Sequence, residues 1–534
     1  MKKKSASTLL LYSLGGMVLL GSVIFRLRLL HLPIDRDEGE FAYAGWRMLN
    51  GGVPFLDYYN MKMPGIYAAY AFLFFLFGAN VMAIRIGLVI INIFNAYFVY
   101  RLAKKWSGKR NGIYAMICYL VFSIQAEFQG TCSHAEHFAM FFVLSGLLIL
   151  LKANENFSRR KYFFSGTLFG TAFLMKQPAF SFIIMALLFL IFENVIRKPG
   201  WKNLINTLFF FGLGAALPLL LTSAILFANG AGSNFKLFAF SYAREYVSYL
   251  SFSDGWNSCR TALANAIPPD LLLWSLFPVS LIITLFAARK KANAERLLFF
   301  VFSFAAVSAG FYFRPHYFQF VIPAVAIMIA AALTSWEESW KNKNRVWKNL
   351  QYFSVAYVFI AIVFFVYSDR SLFSLKKNED IIRKIYGHDL FNATEKAGTF
   401  IAENSAPAST VAIIGAEPEI WFYSKRLAAS GYMYVYPLLE HQKFAPAMRR
   451  QFYSEIEKSK PEIVVYMSNE GTWYADENVH QEMVSWMNAY TNNNFKRIAL
   501  IDIPLTGEAD YHWTGDTAIH PVNIGNYIEI LKRK

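Results

Sequence analysis

Long apolar runs separated by short polar connectors fill the first two thirds of the chain. Apolar runs of roughly 17–25 residues are long enough to cross a bilayer as helices. The pattern predicts about eleven spans, near residues 7–25, 80–101, 111–128, 137–152, 162–175, 178–194, 204–228, 271–288, 297–313, 317–335 and 349–368. Another apolar segment, 65–78, is too short to span, and we expect it at the membrane interface or re-entering the membrane.

The pattern changes after about residue 369, where the long apolar runs stop. Strand-like stretches follow at 410–415, 462–467 and 497–503, with helix-like segments at 448–459 and 477–489 between them. This alternation is typical of a small α/β domain. The sequence therefore predicts two domains, a transmembrane domain over residues 1–368 and an α/β domain over residues 369–534.

The composition indicates a membrane protein and changes how its charge is interpreted. Hydrophobic residues make up 56% of the 534 positions. Charged residues make up 16%, whereas a typical soluble domain has about 25%. A net charge of +16 is also found in nucleic-acid-binding proteins, but here Lys and Arg concentrate in short connectors between apolar runs. That pattern is typical of cytoplasmic loops facing an anionic leaflet, so we expect membrane lipids and no nucleic acid as partners.

Two kinds of connector alternate along the chain. Those at 101–110, 152–161, 197–202, 289–296 and 341–348 are basic, and the others are poor in Lys and Arg. With the N-terminus in the cytoplasm, eleven spans place every basic connector inside and the α/β domain outside. The first apolar run lacks a small-x-small cleavage site, so we expect a retained helix in a plasma or inner membrane.

Four polar groupings fall on the predicted outer face. They are Asp37 with Glu38, Glu136 between two histidines, Lys62 with Lys176, and the run from Arg314 to Gln319. Each has an ordinary explanation: helix-capping acids, interfacial histidines, snorkelling lysines or an aromatic belt. Together they offer carboxylates that accept a proton and cations that stabilise a departing phosphate. The combination favours transfer from a lipid-phosphate donor.

The run DEGEFAYAGWRMLNGGVPFLDYYNMKMPG, residues 37–65, resembles the first outer loop of the GT-C glycosyltransferases. The similar branch, of family 39 type, holds the protein O-mannosyltransferases and the lipid A aminoarabinose transferase. Its pattern is Asp-Glu, a helix, Gly-x-x-Pro, Asp, then Lys-Pro-Pro-Gly. Further matches are Arg85, Glu136, residues 176–178, and an element formed by Arg314, His316, Tyr317 and Gln319, so the resemblance covers about residues 30–330.

The resemblance implies a polytopic GT-C fold and an enzyme that transfers a hexosyl or pentosyl group with inversion. The donor would be a polyprenyl-phosphate-linked sugar, and the acceptor a hydroxyl of a lipid, glycan or protein. The implied catalytic residues are Asp37 as general base, Glu38 as its partner and Glu136 as a second acid. The implied phosphate-binding residues are Lys62, Lys176 and Arg314, and the implied substrate-binding residues are Arg85, His316, Tyr317 and Gln319.

Two departures from the family pattern lie beside Lys62. Met63 replaces a proline, which would have stiffened the backbone, so the direction of the Lys62 side chain stays open. Met61 stands where an acid could have bound a metal. No cofactor is firmly implied, and a divalent metal stays an open alternative.

A transporter or lipid flippase is the main alternative function, and a catalytically silent scaffold is a third. Transporters usually place ionisable residues near the midplane, often in repeated halves, whereas these charges gather at one face and no repeat is visible. We expect acceptor contacts in the 229–270 loop, around Tyr242, Arg244, Tyr246 and Tyr249, and near Glu417 and Trp421. Pairing of Cys132 with Cys259 is left open.

Overall fold

The computed structural model describes residues 6–197, 200–287, 289–341, 351–374, 378–469, 477–505, 507–516, 519–522 and 525–534. The long helices of these ranges are Ala6–Arg28, Val81–Phe122, Ala135–Glu155, Arg159–Met175, Phe180–Arg197, Trp201–Ala228, Leu271–Phe286, Lys291–Val307, Ile322–Lys341 and Gln351–Ser368. Between them lie shorter helices at Arg36–Leu49, Gly65–Phe77, Gly232–Lys236, Ala243–Val247 and Phe252–Ala266. Each predicted span overlaps one of the long helices.

Six helices within the described residues are long and apolar enough to cross a membrane. One of them, Val81–Phe122, leaves helical geometry at Ser107 and Gly108, so it carries the two predicted spans 80–101 and 111–128. The predicted short apolar segment is the 13-residue helix Gly65–Phe77. The chain is therefore a polytopic α-helical membrane protein.

The largest difference from the predicted spans lies between residues 307 and 322. The spans predicted at 297–313 and 317–335 are helices that end at Val307 and begin at Ile322. Left-handed backbone at Gly310, Phe311 and Phe313, with φ of 72°, 59° and 43°, ends the first helix early. A 3₁₀ segment, Pro315–Phe320, then delays the start of the second.

The contacts between Cα atoms divide the chain into two compact units. The first unit comprises residues 1–30, 85–223 and 247–375, and the second comprises 31–84, 224–246 and 376–534. The domain boundary near residue 368 stays a prediction.

Close helix packing in the first unit depends on glycines. A Cβ atom at Gly166 would lie 2.1 Å from the Phe211 carbonyl oxygen, and one at Gly214 would lie 2.0 Å from the Phe163 carbonyl oxygen. Small residues at such positions let helix backbones approach, as is typical of membrane helices. The helix Arg159–Met175, which leads to Lys176, is held in place by these contacts.

A mixed six-stranded sheet forms the core of the second unit. Its strands are β1 Thr410–Ile414, β2 Leu427–Ala428, β3 Ile463–Asn469, β4 Phe495–Asp502, β5 Asp510–His512 and β6 Asn526–Arg533. Their order is β2-β1-β3-β6-β4-β5, with β1 parallel to β2 and β3 and the other pairs antiparallel. The predicted strands are confirmed as β1, β3 and β4, whereas β2, β5 and β6 were not predicted.

Further helices of the second unit accompany this sheet. They are Asn378–Tyr386, Leu390–Asn404, Glu419–Ser424, Tyr436–Leu439, Ala445–Ser459 and Glu477–Thr491. The predicted helix-like segments 448–459 and 477–489 are confirmed as the last two. A four-residue helix, Arg370–Phe373, ends the part of the first unit before this region.

The helix Arg36–Leu49, which we call the acidic helix, packs against the helix Glu419–Ser424 within the second unit. A capping box starts it, because Asp35 accepts a hydrogen bond from the Glu38 backbone and Glu38 accepts one from the Asp35 backbone. A Cβ atom at Gly39 would lie 2.6 Å from the Glu419 backbone nitrogen. The absence of a side chain at Gly39 therefore permits this close contact.

Replacing Gly39 with alanine should destabilise the protein, because its Cβ would meet backbone rather than a flexible side chain. Overpacking of this kind costs about 1–3 kcal/mol, so the thermal unfolding midpoint of the purified protein in detergent should fall. Gly21→Ala is the matched control, since nothing lies within 4 Å of its added Cβ. Equal midpoints for the two variants would contradict the close packing at Gly39.

Candidate functional site

Two carboxylates of the acidic helix bind one lysine of the following loop. The Lys62 ammonium nitrogen lies 2.7 Å from Asp37 Oδ1 and 2.6 Å from Glu40 Oε2. Asp37 and Glu40 can share the lysine because residues three apart lie on one face of a helix. All three residues belong to the second unit.

Two tyrosine hydroxyls complete the surroundings of Glu40. Tyr67 donates to Glu40 Oε1, and Tyr434 donates to Glu40 Oε2 over 2.8 Å. Glu40 is fully buried, and its oxygens accept hydrogen bonds from Lys62 and both tyrosines. We call Asp37, Glu40, Lys62, Tyr67 and Tyr434 the first-loop cluster.

The charges of this cluster shift the pKa values of its members. Burial raises the pKa of Glu40, and the neighbouring Asp37 adds to that rise against the opposing effect of Lys62. Burial alone would lower the pKa of Lys62, but Asp37 and Glu40 outweigh it, so the net pKa is raised. The Lys62 ammonium is therefore charged at neutral pH.

Solvent exposure separates the three acids of the acidic helix. The side chain of Asp37 is 20% exposed, whereas that of Glu40 is completely buried. Glu38 is also fully buried, and one of its carboxylate oxygens accepts the Asp35 backbone N–H in the capping box. A hydroxyl group approaching from solvent can therefore reach Asp37, whereas Glu38 caps the start of the helix.

The direction of the Lys62 side chain, left open by the Met63 departure, is set by its neighbours. Met63 is completely buried, and the Lys62 ammonium lies 4.7 Å from the centre of the Phe41 ring. It also lies 5.6 Å from the centre of the Tyr434 ring. Two carboxylates and two aromatic faces thus fix the position of the ammonium. They do so although Met63 does not stiffen the backbone as the proline of the family pattern would.

A second group of charged residues lies in the first unit. Lys176 and Glu136 form an ion pair, and Glu136 Oε1 also lies 3.8 Å from His316 Nε2. His316 Nδ1 lies 3.0 Å from Gln129 Oε1, and its ring stacks on that of His134 at 4.2 Å between centres. We call Glu136, Lys176 and His316 the second-loop cluster. The structure thus brings together three of the predicted site residues from separate connectors.

The remaining predicted site residues occupy four different surroundings in the first unit. The Tyr317 ring lies 4.3 Å from the Lys176 ammonium, so Tyr317 adjoins the second-loop cluster. The Gln319 amide donates to the Phe128 carbonyl over 3.1 Å, and buried Arg85 donates to the Thr131 carbonyl over 3.2 Å. Arg314 is exposed and lies 5.5 Å from the Tyr312 ring centre.

Sequence reasoning missed three members of the first-loop cluster, Glu40, Tyr67 and Tyr434. Glu40 is not among the predicted site residues, but in the structure it binds Lys62 across 22 residues of chain. Its spacing of three from Asp37 is the signal that could have linked the two. Tyr434 is 394 residues from Glu40, and no local pattern connects them.

Three other expectations have structural outcomes. Glu417 and Trp421, expected near an acceptor, are both buried; Glu417 pairs with Arg36, and the Trp421 indole donates to the Val411 carbonyl. Acceptor contact near these two residues stays a prediction. Cys118, Cys132 and Cys259 are buried and form no disulfide, so the pair left open in the sequence is not one.

Comparison with known proteins gives one family match and several structural matches. The family model described as dolichyl-phosphate-mannose-protein mannosyltransferase matches residues 62–227, which is less than half of the chain. Comparison with proteins of curated function finds no significant match.

The structural matches share the fold at low sequence identity. ArnT from Cupriavidus metallidurans bound to undecaprenyl phosphate has 14% identity and a TM-score of 0.57, with 90% of this chain and 95% of that chain covered. The Archaeoglobus fulgidus oligosaccharyltransferase AglB with an inhibitory peptide and a dolichol-phosphate has 13% identity and a TM-score of 0.51, with 95% and 75% covered. The chain therefore has the GT-C fold.

Removing the positive charge of Lys176 should destabilise the protein, because Glu136 would remain buried without its ion-pair partner. Breaking a buried pair costs about 3–5 kcal/mol, whereas removing both charges costs much less. We expect Lys176→Met to lower the thermal midpoint more than the double variant Glu136→Gln/Lys176→Met. Additive losses in the double variant would show that the two side chains do not interact.

Proposed function

We propose that the protein transfers a sugar from a polyprenyl-phosphate-linked donor to an acceptor hydroxyl, with inversion at the sugar. The observation that carries this proposal is the first-loop cluster, where an accessible carboxylate and a charged lysine lie 2.7 Å apart. One group can accept a proton and the other can bind phosphate. The GT-C fold supports glycosyl transfer as the reaction class.

Asp37 is the general base of the proposed reaction, and Glu38 is its partner on the acidic helix. Asp37 takes the proton of the acceptor hydroxyl while that oxygen forms a bond to the anomeric carbon of the sugar. The bond from the anomeric carbon to the phosphate oxygen breaks, and its electron pair leaves with the polyprenyl phosphate. Attack from the side opposite the leaving group inverts the anomeric centre. Glu38 and Glu40 are too buried to receive this proton.

Lys62 binds the phosphate of the donor and stabilises the charge that develops as it leaves. Its ammonium carries three N–H donors, so it can keep its bond to Glu40 while donating to a phosphate oxygen. When the N–H group that Lys62 donates to Asp37 binds the phosphate instead, the Asp37 carboxylate is left available as a base. Donor binding and base activation are coupled in this scheme.

The predicted site residues of the first unit supply the other proposed roles. Glu136 is a second acid that orients the acceptor, and Lys176 and Arg314 are additional phosphate ligands. Arg85, His316, Tyr317 and Gln319 are proposed to bind or frame the substrates. For Arg85 and Gln319 the observed bonds to the Thr131 and Phe128 carbonyls support an indirect role, through the backbone of the 128–131 segment.

Similar structures support the class of donor and acceptor. ArnT was solved with undecaprenyl phosphate and AglB with a dolichol-phosphate, and another AglB structure contains a tethered acceptor peptide. We extend this to a hexosyl or pentosyl donor and a lipid, glycan or protein acceptor. The basic connectors support a cytoplasmic N-terminus and a reaction on the outer face of a plasma or inner membrane.

Replacing Asp37 with asparagine should abolish sugar transfer, because the amide cannot accept the acceptor proton. A general base contributes about 10²–10⁴-fold to rate, so the product should fall to the level of a strain lacking the gene. Mass spectrometry of envelope glycolipids and glycoproteins, together with protein abundance in the membrane, measures this. Asp57→Asn is the control in the same loop, because Asp57 is 39% exposed and pairs with Arg47. Normal product with Asp37→Asn would refute the assignment.

Replacing Lys62 with methionine should weaken binding of undecaprenyl phosphate to the purified protein. Hydrogen bonds to charged groups contribute about 1.5–3 kcal/mol, which corresponds to a loss of at least about tenfold in affinity. Native mass spectrometry in detergent gives the affinity, and the thermal midpoint reports folding. Lys236→Met removes the same charge from an exposed position of the second unit. Equal affinities for the two variants would rule out Lys62 as the phosphate ligand.

A further inference from the structure

The hydroxyl of Tyr434 reaches the first-loop cluster from the region of the chain that contains the sheet. Tyr434 lies between β2 and the helix Tyr436–Leu439, and its side chain is 9% exposed. Its oxygen is 2.8 Å from Glu40 Oε2, 3.1 Å from the Arg36 carbonyl oxygen and 3.4 Å from Asp37 Oδ1. Three acceptors of the acidic helix therefore surround one hydroxyl.

A phenol has a single proton to donate, so only one of these acceptors can receive a full hydrogen bond. Glu40 is the nearest, and a carboxylate binds a hydroxyl proton more strongly than a neutral carbonyl does. The Tyr434 hydroxyl is thus committed to the oxygen of Glu40 that also binds the Lys62 ammonium.

The backbone that carries Tyr434 is fixed to the segment that leads to Lys62. The Tyr59 backbone N–H donates to the Gly431 carbonyl over 2.5 Å, and Tyr59 forms an isolated parallel bridge with Tyr432. Glu455 accepts hydrogen bonds from the Tyr59 hydroxyl and from the Gly431 backbone. These contacts set the distance between Tyr434 and the 58–62 segment.

The acidic helix is fixed to the same region by independent contacts. The Ala428 backbone N–H donates to the Tyr43 hydroxyl over 2.8 Å, and Arg36 binds Glu417 over 2.7 Å. The Val435 backbone N–H donates to the Gly415 carbonyl at the end of β1 over 3.1 Å. Tyr434 is therefore held relative to the sheet, the acidic helix and the Lys62 loop at once.

We propose that Tyr434 and Glu40 are positioning residues for the phosphate-binding lysine, so that the sheet-containing region is an integral part of the active site. Tyr434 orients the Glu40 carboxylate, and Glu40 holds the Lys62 ammonium beside Asp37. Neither residue touches a substrate in this role. The inference rests on the proposed function of Lys62 and adds two residues that act through it.

A purely structural role for Tyr434 makes a different prediction. Its ring stacks on Tyr436 at 5.7 Å between centres, and phenylalanine would retain that contact. If only packing matters, Tyr434→Phe changes stability slightly and leaves phosphate affinity unchanged. If the hydroxyl acts through Glu40, the same substitution changes affinity, and it does so only while Glu40 is a carboxylate.

The test is a double-mutant cycle on the full-length protein in detergent, with undecaprenyl phosphate as the probe. The variants are Tyr434→Phe, Glu40→Gln, the two combined, and Lys62→Met. Tyr453→Phe is the matched control, because its hydroxyl makes an exposed 3.4 Å contact with Glu482 within the same unit. Dissociation constants are measured well below every variant's thermal midpoint, so that unfolded protein does not contribute.

We expect Tyr434→Phe and Glu40→Gln each to weaken binding by about tenfold, the range of a hydrogen bond to a charged group. The double variant should match Glu40→Gln alone to within about twofold, because coupled residues are not additive. Wild-type affinity in Tyr434→Phe, or additive losses in the double variant, would overturn the positioning role. Failure of the wild type to bind, or full binding by Lys62→Met, would instead overturn the proposed function.

Discussion

The burial of one carboxylate, that of Glu40, constrains the arrangement of the second unit. Removing a carboxylate from water costs several kcal/mol or more unless charged and polar partners compensate. Lys62 and Tyr67, from the segment after the acidic helix, and Tyr434, from the sheet-containing region, supply those partners. The three segments must therefore meet at Glu40, which ties the acidic helix, the loop after it and the sheet-containing region together.

Such a buried ion pair determines geometry more than it adds to stability, because desolvation offsets much of the attraction. The stabilising free energy comes instead from apolar contacts near the cluster. Phe41 packs edge-on against Tyr70 at 5.6 Å between ring centres, and Phe74 stacks on Phe422 at 5.4 Å. Aromatic pairs of this kind stabilise by about 0.5–1.5 kcal/mol beyond their area. Packing holds the segments together, and Glu40 selects one relative position.

The fold could be predicted from the sequence wherever hydrophobic periodicity and length determine the element. Apolar runs gave the long helices, and the buried strands β1, β3 and β4 followed from short β-branched stretches. The ends at Val307 and Ile322 could not be predicted, because phenylalanines adopt left-handed backbone between them. The strand β6 was missed although Ile528 and Ile530 are buried, since Glu529, Lys532 and Arg533 interrupt its apolar pattern.

The candidate site was predictable only where a local motif or the topology identifies it. Asp37 and Lys62 lie within one recognisable run, and Glu136, Lys176 and His316 were grouped by the membrane face predicted for their connectors. Tyr434 lies in no motif, because its role depends on tertiary contacts that place it beside a helix almost four hundred residues earlier. The role of Glu40 was hidden for the same reason, since its partners are remote.

Helix geometry explains why three acids within four residues serve three purposes. Successive residues are turned by about 100° around a helix, so Asp37 and Glu40 share a face and Glu38 points elsewhere. Glu38 lies at the third helical position, where its carboxylate completes the capping box. Glu40 lies about one turn after Asp37, and Tyr67 and Tyr434 cover it. Asp37, in the first turn of the helix, keeps contact with solvent. The same lysine can thus be anchored by one carboxylate and remain beside another that a substrate can reach.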